Sequence, residues 1–121
     1  MPDPDEQAFF DFMETERSAS PRTVRNYRAA LATYAGWRGE AFEGWRKATI
    51  DDFRDYLFEL MKKGLKRSTI RLRFAALRSF YKFLVLRRGL ANSPVAGVQL
   101  PKPDKQLPVV LSVAQVEQLL N

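Results

Sequence analysis

The sequence predicts an all-α fold, four helices built as two helical hairpins and followed by an extended linker. Three observations lead there. No segment alternates apolar and polar residues with period two for long enough to form a strand. Helix punctuation recurs along the chain, with starts at Ser20-Pro21 and Thr49-Ile50-Asp51-Asp52 and glycine stops at Gly39, Gly64 and Gly89. The stretch from Lys66 to Arg88 is apolar over a wide arc at the helical period while keeping one basic strip clear, so it is expected to be the buried centre of the bundle.

The first helix is expected over about residues 5–17, where Phe9, Phe10, Phe12 and Met13 sit in an acidic frame. Ser20 supplies an N-cap hydroxyl and Pro21 a preset first helical position, so a second helix runs to about Trp37 with Val24, Tyr27, Leu31 and Tyr34 as its apolar face. Thr49 to Asp52 reads as a capping box with Asp in place of Glu. It opens a third helix whose Ile50, Phe53, Leu57, Leu60 and Met61 keep core spacing, and Gly64 is a natural C′ residue. The fourth helix begins at Arg67 or Ser68 and stops at Gly89. One flank carries Ile70, Phe74, Leu77, Tyr81 and Leu84, and the next Leu72, Ala76, Phe80 and Phe83. Asn92-Ser93-Pro94 marks a turn, and three prolines between Pro101 and Pro108 mark an extended linker. A further capped helix starts near Leu111-Ser112 and stops after barely two turns. Organisation is therefore expected as a domain over 1–98, a linker over 99–110, and over 111–121 the start of something larger, the chain being a fragment of a longer protein.

Charge is distributed unevenly. The formal net charge is +6 and the pI near 9.9, yet residues 1–20 hold six acids against Arg17 alone. From Lys62 to Arg88 there are ten Lys or Arg and no acid. At about 100° per residue Arg67, Arg71, Arg78 and Lys82 fall within roughly 60° of one another. Solvated helix faces usually mix signs to gain i,i+4 pairs, so an unmixed run points to anions supplied from outside, and a nucleic-acid backbone supplies them most readily. The run Thr23-Val24-Arg25-Asn26-Tyr27 through Tyr34 also aligns with Thr69-Ile70-Arg71-Leu72-Arg73 through Phe80, with the Thr, the first Arg, both Ala and the Leu coinciding. The second and fourth helices thus read as equivalent members of two hairpins. Each opens with a hydroxyl and an arginine where free backbone N–H groups already favour an anion.

The residue inventory excludes much chemistry. With no histidine and no cysteine there is no His-based acid–base pair, Cys nucleophile or His/Cys metal site. No Gly-rich phosphate loop occurs, and no cofactor, metal or small-molecule ligand is implied. Asp51, Asp52 and Asp55 are expected as cap and macrodipole carboxylates in preference to a metal cluster. Tyr27, Tyr34, Tyr56 and Tyr81 are expected in the core with hydroxyls at its edge, and Trp37 and Trp45 as anchors of the second connection in preference to base-stacking platforms. No apolar run reaches the length of a membrane span and no signal peptide opens the chain, so a soluble, cytoplasmic protein is expected.

The motifs together resemble the N-terminal core-binding, SAM-like domain of the tyrosine recombinases, among them the Xer-type chromosome-dimer recombinases and phage-type integrases. The resemblance runs through Ser20-Pro21-Arg22-Thr23 with Tyr27, Leu31 and Trp37. It continues through Thr49-Ile50 with Phe53, Tyr56 and Leu57, and through Ser68-Thr69-Ile70-Arg71 with Leu77, Ser79-Phe80-Tyr81 and Phe83-Leu84. It closes on Asn92-Ser93-Pro94, Leu100-Pro101-Lys102, Leu107-Pro108 and Leu111-Ser112. It implies a four-helix half-clamp on a recombination half-site, the starts of the second and fourth helices entering the major groove of double-stranded DNA. By position that assigns Arg22, Thr23, Arg25 and Asn26, and Lys66, Arg67, Ser68, Thr69, Arg71, Leu72 and Arg73, to DNA binding. Asn26 and the arginines suit base edges and Ser68 and Thr69 suit phosphates, with Arg78 and Lys82 left as backbone contacts. The family usually has Asn-Pro where this chain has Asn92-Ser93-Pro94, so the turn into the linker departs from the pattern. The catalytic residues of the family belong to a following domain, so this chain is expected to bind DNA without cutting it, alongside other recombinase protomers of the full-length protein. The rival readings are a helical module whose basic face meets an acidic protein, and an autonomous helical repressor that dimerises on a palindrome.

Overall fold

In the computed structural model, which describes residues 3–102, the chain forms α1 (Pro4–Thr15), α2 (Pro21–Arg38), two 3₁₀ turns (Gly39–Ala41 and Trp45–Lys47), α3 (Ile50–Lys62) and α4 (Arg67–Arg87). The described residues contain no strand, as expected. The expected helix over 111–121 and the linker beyond Lys102 lie outside the described residues.

The caps act as their residue types dictate. Ser20 Oγ accepts from the Thr23 amide at 3.1 Å. At α3 the Thr49 hydroxyl accepts from the Asp52 amide while the Asp52 carboxylate accepts from the Thr49 amide, a complete capping box. Gly64 takes a left-handed φ of 78°, and the amides of Gly64 and Leu65 reach the carbonyls of Met61 and Leu60, closing a Schellman turn. One cap was absent from the sequence reading: Asp3 accepts from the amides of Asp5 and Glu6, so α1 starts at Pro4, and it ends at Thr15 instead of continuing to residue 17.

Helix α4 lies at the centre and packs against the other three. Its Ile70, Phe74, Ala76, Leu77, Phe80, Tyr81, Phe83 and Leu84 are buried. Onto them close Phe9, Phe10 and Met13 from α1, Val24, Leu31 and Tyr34 from α2, and Phe53, Tyr56 and Leu60 from α3. Trp45 sits among Tyr34, Phe42, Phe80 and Tyr81, with ring centroids between 5.0 and 6.1 Å, mostly edge-on. Such pairs add about 0.5–1.5 kcal/mol each beyond burial. The ring contacts run in opposite order along α2 and α4. Tyr27 meets Phe9, which touches Phe80 and Phe83, whereas Trp37 meets Tyr56, which touches Phe74. The echoed helices therefore do not run parallel.

Three side-chain expectations need correction. Met61 is half exposed and Leu72 is 70% exposed, so neither joins the core flank assigned to it. Three of the four tyrosine hydroxyls, those of Tyr34, Tyr56 and Tyr81, are inside and not at the edge. Tyr81 donates to the Trp45 carbonyl at 2.6 Å, while the hydroxyls of Tyr34 and Tyr56 are buried without a hydrogen-bond partner among the described residues. Burial pushes all three hydroxyls above the ordinary phenol range. Trp45, by contrast, is the expected anchor, 2% exposed with its indole N–H on Glu6 at 2.7 Å.

The chain does not leave the domain at the end of α4. Residues 94–97 turn back, and Val95 and Val98 insert into the core, 0% and 2% exposed. A Cβ on Gly97 would lie 2.8 Å from Ile50 Cδ1, which is how closely this turn covers the start of α3.

Candidate nucleic-acid interface

The assigned residues fall into two clusters. At the start of α2, Arg22, Arg25 and Asn26 are exposed and Thr23 is half-buried, its hydroxyl receiving a hydrogen bond from Ser20 Oγ at 3.0 Å. At the start of α4, Lys66, Arg67, Ser68, Arg71 and Leu72 are exposed and Thr69 and Arg73 half-buried. Arg73 approaches the Tyr56 hydroxyl without meeting hydrogen-bond geometry, and its charge opposes the upward push of burial on that phenol.

The two helix starts differ from that of α3. Neither α2 nor α4 carries an acid in its first turn. The α4 start has Lys66 at its N-cap position and no side chain capping its amides. Free amides and the helix dipole there favour an anion, and arginines at that end raise the local potential further. The expected cap roles of the α3 acids hold. Asp52 completes the box and pairs with Arg38 at 3.2 Å, and Asp51 pairs with Arg54 at 3.5 Å.

The basic row of α4 has a neighbour that side-chain patterns did not reveal. Arg78 Nη2 donates to the Val98 carbonyl at 2.9 Å, Arg71 Nη1 to the Pro101 carbonyl at 3.1 Å, and Arg67 Nη1 to the Lys102 carbonyl at 3.3 Å. Residues 98–102 thus run back along α4 from its middle toward its start. Between this segment and the helix lies an open groove of about 640 Å³, lined by Ser68, Arg71, Leu72, Ala75, Arg78 and Leu100. The exposed Leu72 is the apolar wall of that groove, beside the arginines. No residue pattern in the sequence marks this segment, because its contacts to the arginines are made by backbone carbonyls.

At the other end of α4 the arginines meet carboxylates. Asp5 receives Arg46 Nε at 2.8 Å, Arg46 Nη2 at 3.1 Å and Arg88 Nε at 3.1 Å. The Arg46 hydrogen bond holds its carboxyl below the usual carboxylate range, with Arg88 adding to the effect and burial opposing it. Arg87 pairs with Glu16 at 3.0 Å and lowers that carboxyl in the same way. No described helix is long and apolar enough to cross a membrane, and the described residues hold no cluster of three His, Cys, Asp or Glu suited to a metal.

Comparison with known proteins adds to this geometry. Residues 7–88 match the family described as phage integrase, N-terminal SAM-like domain. Tyrosine recombinase XerC of Vibrio parahaemolyticus is 34% identical over 95% of this chain and 37% of its own length. Tyrosine recombinase XerC of Bacillus subtilis is 34% identical over 93% of the chain and 38% of its length. Tyrosine recombinase XerD of Bradyrhizobium diazoefficiens is 33% identical over 93% and 36%. The chain thus spans well under half the length of the curated relatives it matches. No solved structure matches it.

Proposed function

The chain belongs to the phage integrase N-terminal SAM-like domain family, and from that premise we propose that it is the DNA-holding domain of a site-specific tyrosine recombinase, gripping one duplex half-site through the starts of α2 and α4 in the major groove. The observation that carries the reading is the start of α4. An uncapped helix end, free of acids in its first turn, is surrounded by Lys66, Arg67, Arg71 and Arg73. Arginine at the positive end of a helix opposes the dipole, which costs about 0.3–1 kcal/mol per charge and is offset when a phosphate arrives. In this reading Arg25, Asn26, Arg71 and Arg73 meet base edges, and Arg22, Thr23, Lys66, Arg67, Ser68 and Thr69 hold phosphates, with Leu72 as an apolar contact to a thymine methyl.

Residues 1–98 form the DNA-holding domain, 99–110 the connection and 111–121 the opening of a catalytic domain that cuts and rejoins the strand. This piece binds and positions; it does not cleave. It acts in the cytoplasm as one of several protomers on the recombination site. The test is fluorescence anisotropy on duplex DNA over a salt series, with Arg25→Ala/Arg71→Ala beside the parent chain. A slope of several units in log K against log salt, at about 0.9 per phosphate neutralised, is expected, with weaker binding and relaxed sequence preference in the double variant. Equal binding of an acidic peptide and duplex at matched charge would overturn the reading.

A further inference from the structure

Arg71 is one of the residues that the proposed function places on a base edge, and the chain beyond the helix holds it. Its Nη1 donates to the Pro101 carbonyl at 3.1 Å. Its Nε and Nη2 make no hydrogen bond with a described residue. A guanidinium carries five N–H donors in a fixed plane. Engaging Nη1 therefore leaves the edge formed by Nε and Nη2 whole, and that edge matches the O6 and N7 acceptors of guanine. The carbonyl that holds Nη1 is placed by packing and not by Arg71 itself. Val98 is 2% exposed, its amide donates to the Val95 carbonyl at 3.2 Å, and its carbonyl receives Arg78 Nη2 at 2.9 Å. Leu100 and Pro101 are half-buried, Leu100 packs against the core, and the proline ring fixes its own φ.

We propose that residues 98–101 belong to the base-reading site: the Pro101 carbonyl braces the Arg71 guanidinium with its Nε–Nη2 edge free for guanine, and Leu100 and Pro101 are positioning residues for that contact. The inference rests on the DNA-holding reading above and deepens its assignment of Arg71. An exposed arginine loses rotamer freedom when a base captures it, and a side chain already fixed by a hydrogen bond loses less. The brace persists in the complex, because the carbonyl and the base take different N–H groups. The braced guanidinium borders the open groove beside Leu72, which is 70% exposed. The same footing thus offers an apolar contact to a thymine methyl next to the guanine. The connection that follows α4 contributes to the choice of DNA through the arginine it holds, without touching a base.

The probe is a pool of short duplexes randomised over their central base pairs, bound to the full chain at low salt, recovered and sequenced. The parent is expected to enrich guanine at one position, and Arg71→Ala to lose that enrichment by about tenfold or more. Pro101→Gly, and separately Leu100→Ser, are expected to lose it by about two- to tenfold, with the salt slope and the enrichment at other positions kept. Added to Arg71→Ala, neither is expected to change anything further, a coupling that general loosening of the fold does not produce. Pro101 lies outside every described helix, so Pro101→Gly is expected to keep the parent's urea midpoint. In the DNA-free protein the Arg71 Nε–H is expected to be rigid by NMR relaxation and to become mobile in Pro101→Gly. Enrichment unchanged in both brace variants, or an Nε–H equally mobile with and without Pro101, overturns the brace and leaves the DNA-holding reading standing. A pool that binds without enrichment at any position overturns the brace together with base reading by Arg71. No retention of the pool at low salt overturns the DNA-holding reading as well.

Discussion

The two ends of α4 use the same residue type for opposite purposes. At the C-terminal end Arg87 and Arg88 meet the carboxylates of Glu16 and Asp5, and Arg46 joins them from the connection before α3. Cations there also suit the negative end of the dipole, so structure accounts for them fully. Toward the N-terminal end Arg71 and Arg78 meet only backbone carbonyls among the described residues, and Arg67 takes a third. Charge at that end opposes the dipole. The contrast separates arginines paired with carboxylates from arginines that meet backbone carbonyls.

Changes at the assembling end should show first in stability. Trp45→Ala removes a ring packed on Phe80 and Tyr81 and is expected to cost about 3–5 kcal/mol, read as a large fall in urea midpoint. At the other end the effect should move to affinity. Arg71→Ala is expected to weaken duplex binding about tenfold at low salt and to relax sequence preference, while unfolding shifts by less than about 0.5 kcal/mol. An equally large loss of stability would erase the distinction between the two ends. Asp5→Asn is expected to cost about 1–2 kcal/mol, because the carboxylate gathers two guanidinium groups at a mostly buried position while those groups remain well exposed. The same carboxyl sets a pH dependence. Its folded pKa lies below its unfolded value of 3.8, so its contribution is complete above that pH and is lost as pH falls through the folded value. Thermal melts should therefore decline below about pH 4 in the parent and less steeply in Asp5→Asn. Glu16→Gln should be the smallest effect, with no resolvable change in melting temperature, because both partners are exposed.

Much of this was legible in the sequence because helix ends announce themselves through one or two residues. Ser20, the Thr49–Asp52 box and Gly64 fixed three termini, and the buried arc of α4 followed from spacing. Position on a wheel does not say which neighbours exist, however. Leu72 and Met61 fall on apolar flanks, yet no described helix covers them. The tyrosine hydroxyls failed for the same reason, since depth depends on how many rings stack above, and here Tyr34 touches five others. The clusters at the starts of α2 and α4 were legible as chemistry, and the resemblance gave them a place. The segment over 98–102 was not, because its contacts are made by backbone carbonyls, which every residue has and no pattern marks.

The closure of the core by Val95 and Val98 has a consequence for how the protein is made. A chain emerging from the ribosome carries all four helices once Arg87 has cleared, but its hydrophobic interior still has an open side until residue 98 follows. Folding as a unit must wait for that last turn, and the nascent helices remain sticky in the interval. The arginines of α4 are translated before the carbonyls of Val98, Pro101 and Lys102 that engage them, so those contacts close only after the helix itself has emerged.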